Sequence, residues 1–188
     1  GEDTLSLHDA LPISVVFSLL AKELNIKTLV VAHSEELINQ AAAKFSVVWP
    51  GVSIGIVKAE NDEVDAQVVI ASIQTASREQ RLRKLKMQNF GLLIIDEAHH
   101  AAAPSYATLV QELGFLDDDP GRLLVGVTAT VKRGDGVGLG SIFQEIVYDC
   151  SINTMIRAGY LAPLIGKQIF TQVELGGITI KNGDFAAG

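Results

Sequence analysis

The chain has little of what stabilises secreted proteins. Cys150 is the only cysteine among 188 residues, so no disulfide can form within the chain. We therefore expect a reducing, intracellular compartment, with nucleus, cytoplasm and mitochondrion left open. No apolar run approaches the roughly 18 residues of a membrane-spanning helix, and Glu2 and Asp3 stand where a secretory signal is positively charged. No membrane partner is predicted.

Positive charge is also scarce. Lys and Arg number 15 against 22 Asp and Glu, which gives a formal net charge of −7. This net charge argues against a strongly basic nucleic-acid-binding protein, and a polyanion would have to be held by a local patch or by backbone amides. The densest basic stretch is 78–86, which is either a solvated helix face or a phosphate contact. The solvated face is favoured because charge clusters on helices are usually plain surface.

Apolar residues are abundant, at 48% of the chain, so a sizeable core can be buried. Short aliphatic runs at 28–32, 67–71, 92–95 and 123–127 predict strands buried on both faces, and an alternating run at 52–57 predicts another. Stretches of helical periodicity separate them from Val16 to about Tyr160. This alternation predicts an α/β fold, with an open, mostly parallel sheet and helices on both of its faces.

Local signals place the ends of several helices. Apolar residues at helical spacing predict a helix ending near Leu24, and Ser34 is placed to cap the next one. Pro104 predicts the start of a helix that runs to about Leu113. Ser151 and Gly159 predict the two ends of a later helix. Its inward residues are expected to be Ile152, Met155 and Ile156.

The predicted strand at 92–95 breaks abruptly into two carboxylates, Asp96 and Glu97. Ligands of parallel sheets bind at the carboxyl ends of the strands, so this pair is a candidate site. One carboxylate there can hold a Mg2+ that bridges nucleotide phosphates, and its neighbour can orient an attacking water. A zinc-type site with His99 and His100 is the weaker alternative, because zinc-binding histidines usually stand a helical turn apart.

Hydroxyls and an amide follow two other predicted strands. Thr128 and Thr130 lie two apart, so in extended chain both point to one face and can reach the loop after Asp96 if the strands are neighbours. Taken alone, the pair is better interpreted as a strand end whose hydroxyls are already hydrogen-bonded. Gln74 and Thr75 carry groups that contact phosphates without net charge, although they also fit a simple helix cap. The glycine-rich stretch 134–140 matches no phosphate-loop spacing and is interpreted as a flexible loop.

Four segments stand in one order along the chain: Leu29–Gln40, Val69–Thr75, Asp96–His99 and Thr128–Thr130. Together they resemble the first motor lobe of superfamily-two helicases of the DEAD/DEAH-box type. Arg133, Asp135 and the segment Ala158–Pro163 make the chain look most like the branch that contains restriction-enzyme motor subunits and mitochondrial DNA-branch helicases. The resemblance covers roughly Val15 to Leu175. It implies a RecA-like P-loop NTPase lobe that uses ATP and Mg2+.

The resemblance also implies roles for single residues. Asp96 would hold Mg2+, and Glu97 would polarise the water that attacks the terminal phosphate. His99, with Thr128 and Thr130, would couple hydrolysis to movement of the lobes. Four residues would lie along the nucleic-acid backbone, with DNA favoured over RNA: His33, Ser34, Gln74 and Thr75. Ser34 departs from the arginine often found at that point, and Val131 from the proline that commonly follows Thr-Ala-Thr.

One departure is larger. The family places a glycine-rich loop ending in Gly-Lys-Thr before the helix that begins here near Val15, and its amides and lysine cradle the phosphates. Residues 1–14 contain no lysine and resemble a translated adapter, so they are predicted to be a non-native leader. The lobe is expected at 15–165, lacking its phosphate loop, with the start of a connection to a missing second lobe at 166–188.

The function implied is that of a fragment of an ATP-dependent helicase or translocase, which hydrolyses ATP to unwind nucleic acid. The isolated chain is expected to be inactive. The alternative hypothesis is a non-catalytic module of NTPase-like fold that binds nucleic acid or a protein, and the basic residues Arg78, Arg81 and Arg83 would then carry the binding.

Overall fold

A six-stranded sheet organises the main body of the chain in the computed structural model. The structure describes residues 13–117, 119–129 and 139–163, together with the backbone of 180–181 and 184–185. The strands are β1 (Thr28–Ala32), β2 (Ile54–Lys58), β3 (Asn61–Asp62), β4 (Val68–Ser72), β5 (Leu92–Asp96) and β6 (Leu123–Val127). The helices of this body are α1 (Ile13–Leu24), α2 (Glu35–Val48), α3 (Ile73–Ala76), α4 (Glu79–Met87) and α5 (Pro104–Glu112).

The strand order is β3-β2-β4-β1-β5-β6. Every neighbouring pair is parallel except β2 with the two-residue β3. The carboxyl ends of β1, β2, β4, β5 and β6 therefore lie along one edge of the sheet, which we call the carboxyl rim. Pairing of β5 with β6 sets Asp96 opposite Val127, so the residues that follow these two strands leave the sheet side by side.

Alternate residues of each strand pack under helices on opposite faces of the sheet. Val30, Ile70 and Ile94 lie in the core that includes Phe17 of α1 and Phe45 of α2. The residues between them pack with α3, α4 and α5 in a second core, which contains Leu29, Val31, Leu93, Ile95, Leu85 and Leu109. The prediction of a mostly parallel α/β sheet with helices on both faces is confirmed.

Several helix signals act as predicted. The Ser34 hydroxyl caps α2 by accepting a hydrogen bond from the Leu37 amide at 3.3 Å. Helix α5 begins at Pro104. Helix α1 ends at Leu24, as predicted. The apolar residues Val16 and Leu19, whose spacing predicted this helix, are nevertheless exposed, and Phe17 and Ala21 are the residues that it buries. Val16 is 67% exposed.

Strand β6 forms one edge of the sheet within the described residues. Strands β1, β4 and the first four residues of β5 are fully buried, while no residue of β6 is. Leu123 at its start is 41% exposed. Strand β6 therefore has no neighbouring strand on one side within the described residues. An exposed edge strand can pair with a further strand.

A second compact unit covers residues 149–188. It contains α6 (Ile152–Arg157) and a short antiparallel pair, β7 (Ile180–Lys181) with β8 (Asp184–Phe185). The Ser151 hydroxyl caps α6 as predicted, accepting from the Thr154 amide at 3.1 Å. The prediction that Ile152 faces inward was wrong, since its side chain is 60% exposed. Among the residues described, no helix is long and apolar enough to span a bilayer.

Candidate functional site

The acid pair lies at the carboxyl rim, where β5 ends. Asp96 is its last residue and is half-buried, and its Oδ1 accepts a hydrogen bond from the Glu97 amide at 3.0 Å. Glu97 follows in the left-handed backbone region, with φ at 52° and ψ at 53°. A side chain with a Cβ adopts this conformation at a cost of roughly 1–2 kcal/mol. Such strain is concentrated at functional sites.

The surroundings of Asp96 disfavour the charged form of its carboxyl. Burial raises the pKa of its carboxyl above the ordinary value for aspartate, and the charge of Glu97 raises it further. The hydrogen bond from the Glu97 amide and the proximity of His33 act in the opposite direction without cancelling the rise. A carboxylate desolvated beside a second one favours any cation that binds there, because the cation stabilises the charged form.

His99 connects the acid pair to the neighbouring strand. It belongs to a short 3-10 turn, Ala98–His100, directly after Glu97. Its Nδ1 lies 3.1 Å from Glu97 Oε2 and also 3.1 Å from Oγ1 of Thr128. One imidazole nitrogen therefore stands between a carboxylate of the β5 loop and a hydroxyl of the β6 end. The predicted proximity of Thr128 to this loop is confirmed, whereas Thr130 lies outside the described residues.

Two further histidines stand beside His99. The rings of His99 and His100 have their centroids 4.0 Å apart, inclined at 44°. The ring of His33, from the end of β1, meets that of His100 edge-on at 5.2 Å and 65°. These rings come together because β1 is the direct neighbour of β5 in the sheet.

Tyr106 is a residue of this site that the sequence did not reveal. It lies in the first turn of α5 and is 3% exposed, and its hydroxyl has no hydrogen-bond partner among the described residues. Burial, together with the charges of Asp96 and Glu97, raises the pKa of its phenol to about 12. The only sequence signal was its place near the start of the helix after the acid pair.

The candidate nucleic-acid residues divide into accessible and occupied groups. His33 and Gln74 are exposed, and Gln74 Nε2 donates to the His33 carbonyl oxygen at 3.1 Å, which joins the ends of β1 and β4. The Ser34 hydroxyl is engaged as the cap of α2. Thr75 is 4% exposed, and its hydroxyl accepts from Ser72 Oγ at 2.9 Å and from a backbone amide. Its side chain thus holds the loop after β4 through two hydrogen bonds.

The basic stretch is largely neutralised within the fold. Arg81 and Lys84 both pair with Asp62, and Arg83 pairs with Glu79 along α4. Lys86 reaches Glu112 of α5 at 3.2 Å. These carboxylates occupy the charges that a phosphate contact would need, which favours the interpretation of α4 as a solvated helix face.

The acid pair fits a magnesium ion better than a transition metal. Mg2+ prefers oxygen ligands and is commonly held through one or two carboxylates plus waters and substrate phosphates. Asp96 supplies such an oxygen at the rim, half-buried and destabilised by its surroundings. In the part of the chain that the structure describes, no three His, Cys, Asp or Glu side chains converge as metal ligands. The zinc-type alternative therefore has no geometric support.

Several predicted features fall on residues outside the described part. They are the glycine-rich stretch up to residue 138, Val131, Arg133, Asp135, the leader up to residue 12 and most of 166–188.

The chain is similar to known proteins in both sequence and structure. Residues 11–133 match the family described as type III restriction enzyme, res subunit. The chain is 30% identical to the candidate ATP-dependent helicase IRC3 of Saccharomyces cerevisiae, over 92% of this chain and 26% of that protein. It is 36% identical to the candidate mitochondrial ATP-dependent helicase irc3 of Schizosaccharomyces pombe, over 71% of this chain and 22% of that protein. The chain thus spans about a quarter of these relatives.

A solved structure shares the architecture. A hypothetical ATP-dependent RNA helicase from Sulfolobus tokodaii superimposes with a TM-score of 0.51 at 20% identity, covering 63% of this chain and 38% of that one. At this identity the likeness concerns the fold, which is that of a RecA-like P-loop NTPase lobe.

Proposed function

This chain belongs to the type III restriction enzyme res-subunit family, and we propose that it forms the first motor lobe of an ATP-dependent helicase or translocase. One observation carries the proposal: His99 Nδ1 lies 3.1 Å from both Glu97 and Thr128 at the carboxyl rim. A hydrolytic carboxylate and the end of the next strand are thereby linked through a single side chain. A movement of Glu97 during hydrolysis can then shift Thr128 at the end of β6.

Each rim residue has a role in this proposal. Glu97 accepts a proton from the attacking water or orients it, and its left-handed backbone fixes the direction from which it does so. His99 holds Glu97 in place and passes its movement to Thr128, with Thr130 as the second hydroxyl of the pair. Asp96 would hold Mg2+, which supplies charge stabilisation to the transferring phosphoryl group when bound.

ATP would need more than the described residues provide. We propose that 15–165 is the lobe without its phosphate-binding loop, that 1–14 is a non-native leader, and that 166–188 begins the connection to a second lobe. The open side of β6 supports a further strand in the parent protein, because Leu123 there is 41% exposed. The helix α1 would then follow the phosphate loop.

The nucleic acid would contact the ends of β1 and β4. His33 and Gln74 are exposed there and held together by a hydrogen bond, and Ser34 begins α2 beside them. Such contacts use polar groups and backbone amides, so they suit a chain with a net charge of −7. We propose DNA rather than RNA because of the restriction-enzyme character of the family. An intracellular compartment is supported by the mitochondrial name of one relative.

The chain alone should not turn over ATP. An arginine finger, which a second lobe supplies in this proposal, is worth about 10^3 to 10^5 in rate in related phosphoryl transfer. The lysine-bearing loop, which would bind the phosphates, is absent from residues 1–14. Ordinary ATP turnover by the purified 188-residue chain, measured by phosphate release, would refute this part of the proposal.

A gain-of-function experiment tests the lineage. A Gly-x-Gly-Lys-Thr loop is placed before Val15 in a protein that carries both lobes, and phosphate release is followed with and without single-stranded DNA. We expect DNA-stimulated hydrolysis that Asp96→Asn removes. Hydrolysis indifferent to Asp96→Asn would show that the rim is not the site of the reaction. DNA binding without hydrolysis would favour the alternative of a non-catalytic module, for which the paired charges of α4 give no support.

A further inference from the structure

Three imidazole rings form a row along the carboxyl rim, and the proposed chemistry of the acid pair uses only one of them. His33 meets His100 with ring centroids 5.2 Å apart, and His100 meets His99 at 4.0 Å. The two contacts differ in angle, 65° against 44°, so the rings interlock and do not stack as parallel plates. His100 is the middle ring and touches both of the others.

The outer end of the row lies where nucleic acid is proposed to bind. His33 is exposed and directly follows β1. Its carbonyl oxygen accepts a hydrogen bond from Gln74 Nε2 at 3.1 Å, so the loops after β1 and β4 are joined at this point. A ligand that moves either loop therefore moves the outermost ring.

The inner end of the row lies at the hydrolytic carboxylate. His99 Nδ1 is 3.1 Å from Glu97 Oε2, and the His99 ring also packs against that of His100. The left-handed backbone of Glu97 sets where its side chain begins. The position of its carboxylate then depends on the groups that the side chain contacts. A shift of the His99 ring is thus a shift of the group that would orient water.

We propose that His100 is a positioning residue that transmits nucleic-acid contact at His33 to the His99–Glu97 pair, an inference that rests on the proposed function. The transmission is mechanical: His33 and His99 do not need to exchange a proton, since the ring of His100 fills the space between them. This path runs from β1 to β5. It is separate from the contact of His99 with Thr128, which runs from β5 to β6.

Side-chain NMR of the 188-residue chain tests the path without ATP. The chain has four histidines, so their ring signals can be resolved and assigned by single substitution. The chain is titrated with single-stranded oligothymidylate, and the shifts of His33 and His99 are followed. We expect both to move together with the same midpoint. In His100→Ala the His33 shift should persist and the His99 shift should fall by at least half. In His100→Phe, which keeps a ring of similar size, the His99 shift should return.

Each outcome decides between the inference and its premise. If His33 responds and His99 does not, or if His99 responds equally in His100→Ala, the path through His100 is overturned and the nucleic-acid face stands. Failure of His100→Phe to restore the His99 response overturns transmission by ring packing. If no histidine responds to the oligonucleotide, the nucleic-acid face itself is overturned, and the inference with it.

Discussion

Replacing Tyr106 by phenylalanine should stabilise the fold. The ring of Tyr106 is buried in the core under α5, with 3% of the side chain exposed, and phenylalanine keeps that packing. The hydroxyl has no partner among the described residues, and a buried polar group left unpaired costs about 1–3 kcal/mol. Its removal should therefore raise the free energy of unfolding by about 1 kcal/mol or more, with a rise in Tm of roughly 2–4 °C for a domain of this size.

The gain should depend on pH in one direction. The pKa of the Tyr106 phenol is raised to about 12 in the fold, against roughly 10 in an unfolded chain. Between these values the unfolded state loses the proton and the folded state keeps it, so the wild-type chain loses stability as pH rises. Phenylalanine has no proton to lose. The advantage of Tyr106→Phe should be constant below about pH 10 and grow above it.

Urea unfolding followed by the fluorescence of Trp49 measures both effects. Tyr160→Phe is the matched control, because Tyr160 is 73% exposed and the change should stay within about 0.5 kcal/mol. A loss of about 1 kcal/mol in Tyr106→Phe would refute the reasoning, since the hydroxyl would then have a partner. A gain that does not change above pH 10 would show that the raised pKa is wrong.

Three further predictions concern the rim. Asp96→Asn should stabilise the chain at pH 7 in urea unfolding, because burial raises the pKa of Asp96 and the charged carboxylate present at pH 7 is therefore disfavoured in the fold. The gain should vanish below about pH 3.9, where the carboxyl is protonated in both the folded and the unfolded chain. A loss of stability at pH 7 would contradict this prediction. Glu97→Gly should be more stable than Glu97→Ala by roughly 1 kcal/mol in the same assay, because the backbone φ of 52° suits glycine, and the reverse order would contradict the left-handed turn. Gly126→Ala should cost about 1–3 kcal/mol, because a Cβ there would lie 2.8 Å from the Cβ of Ala98 and still closer to the ring of Phe143; an unchanged midpoint would contradict this packing.

Each of these changes has a control elsewhere in the chain. Glu60→Gln removes an exposed carboxylate and should change little at either pH. Ala43→Gly, on the exposed side of α2, should lose about 1 kcal/mol, the opposite sign to the comparison at Glu97. Gly140→Ala meets no atom within 4 Å and should not bring the penalty expected at Gly126.

The inner strands were predictable because they are buried on both faces. Such strands must be aliphatic throughout, and the run at 92–95 became β5 with almost the expected bounds. The run at 123–127 became β6 with the expected bounds, but the prediction that it is buried on both faces was wrong, because no residue of β6 is buried. The meeting of His99 and Thr128 then follows from two parallel strands that lie side by side. Composition alone could not predict which face of α1 packs against the sheet, because both faces are apolar. In the structure Phe17 and Ala21 are buried, and Val16 is exposed.

Contacts between distant parts of the chain were beyond the sequence. Asp62 neutralises Arg81 and Lys84 only because the short β3 comes beside α4, and a count of charges along 78–86 does not show it. The meeting of His33 with His100 depends on β1 being the neighbour of β5, which alternation of strands and helices does not specify. Thr75 likewise turned inward to bond Ser72.

The central claim is that Glu97 at the carboxyl rim activates water for ATP hydrolysis. The most direct measurement is DNA-stimulated phosphate release by a protein that carries both lobes and a phosphate loop, with Glu97 and with Glu97→Gln. Loss of a general base costs about 10^2 to 10^4 in rate, so we predict a fall of at least about a hundredfold with ATP binding retained. An unchanged rate of hydrolysis in Glu97→Gln would contradict the account.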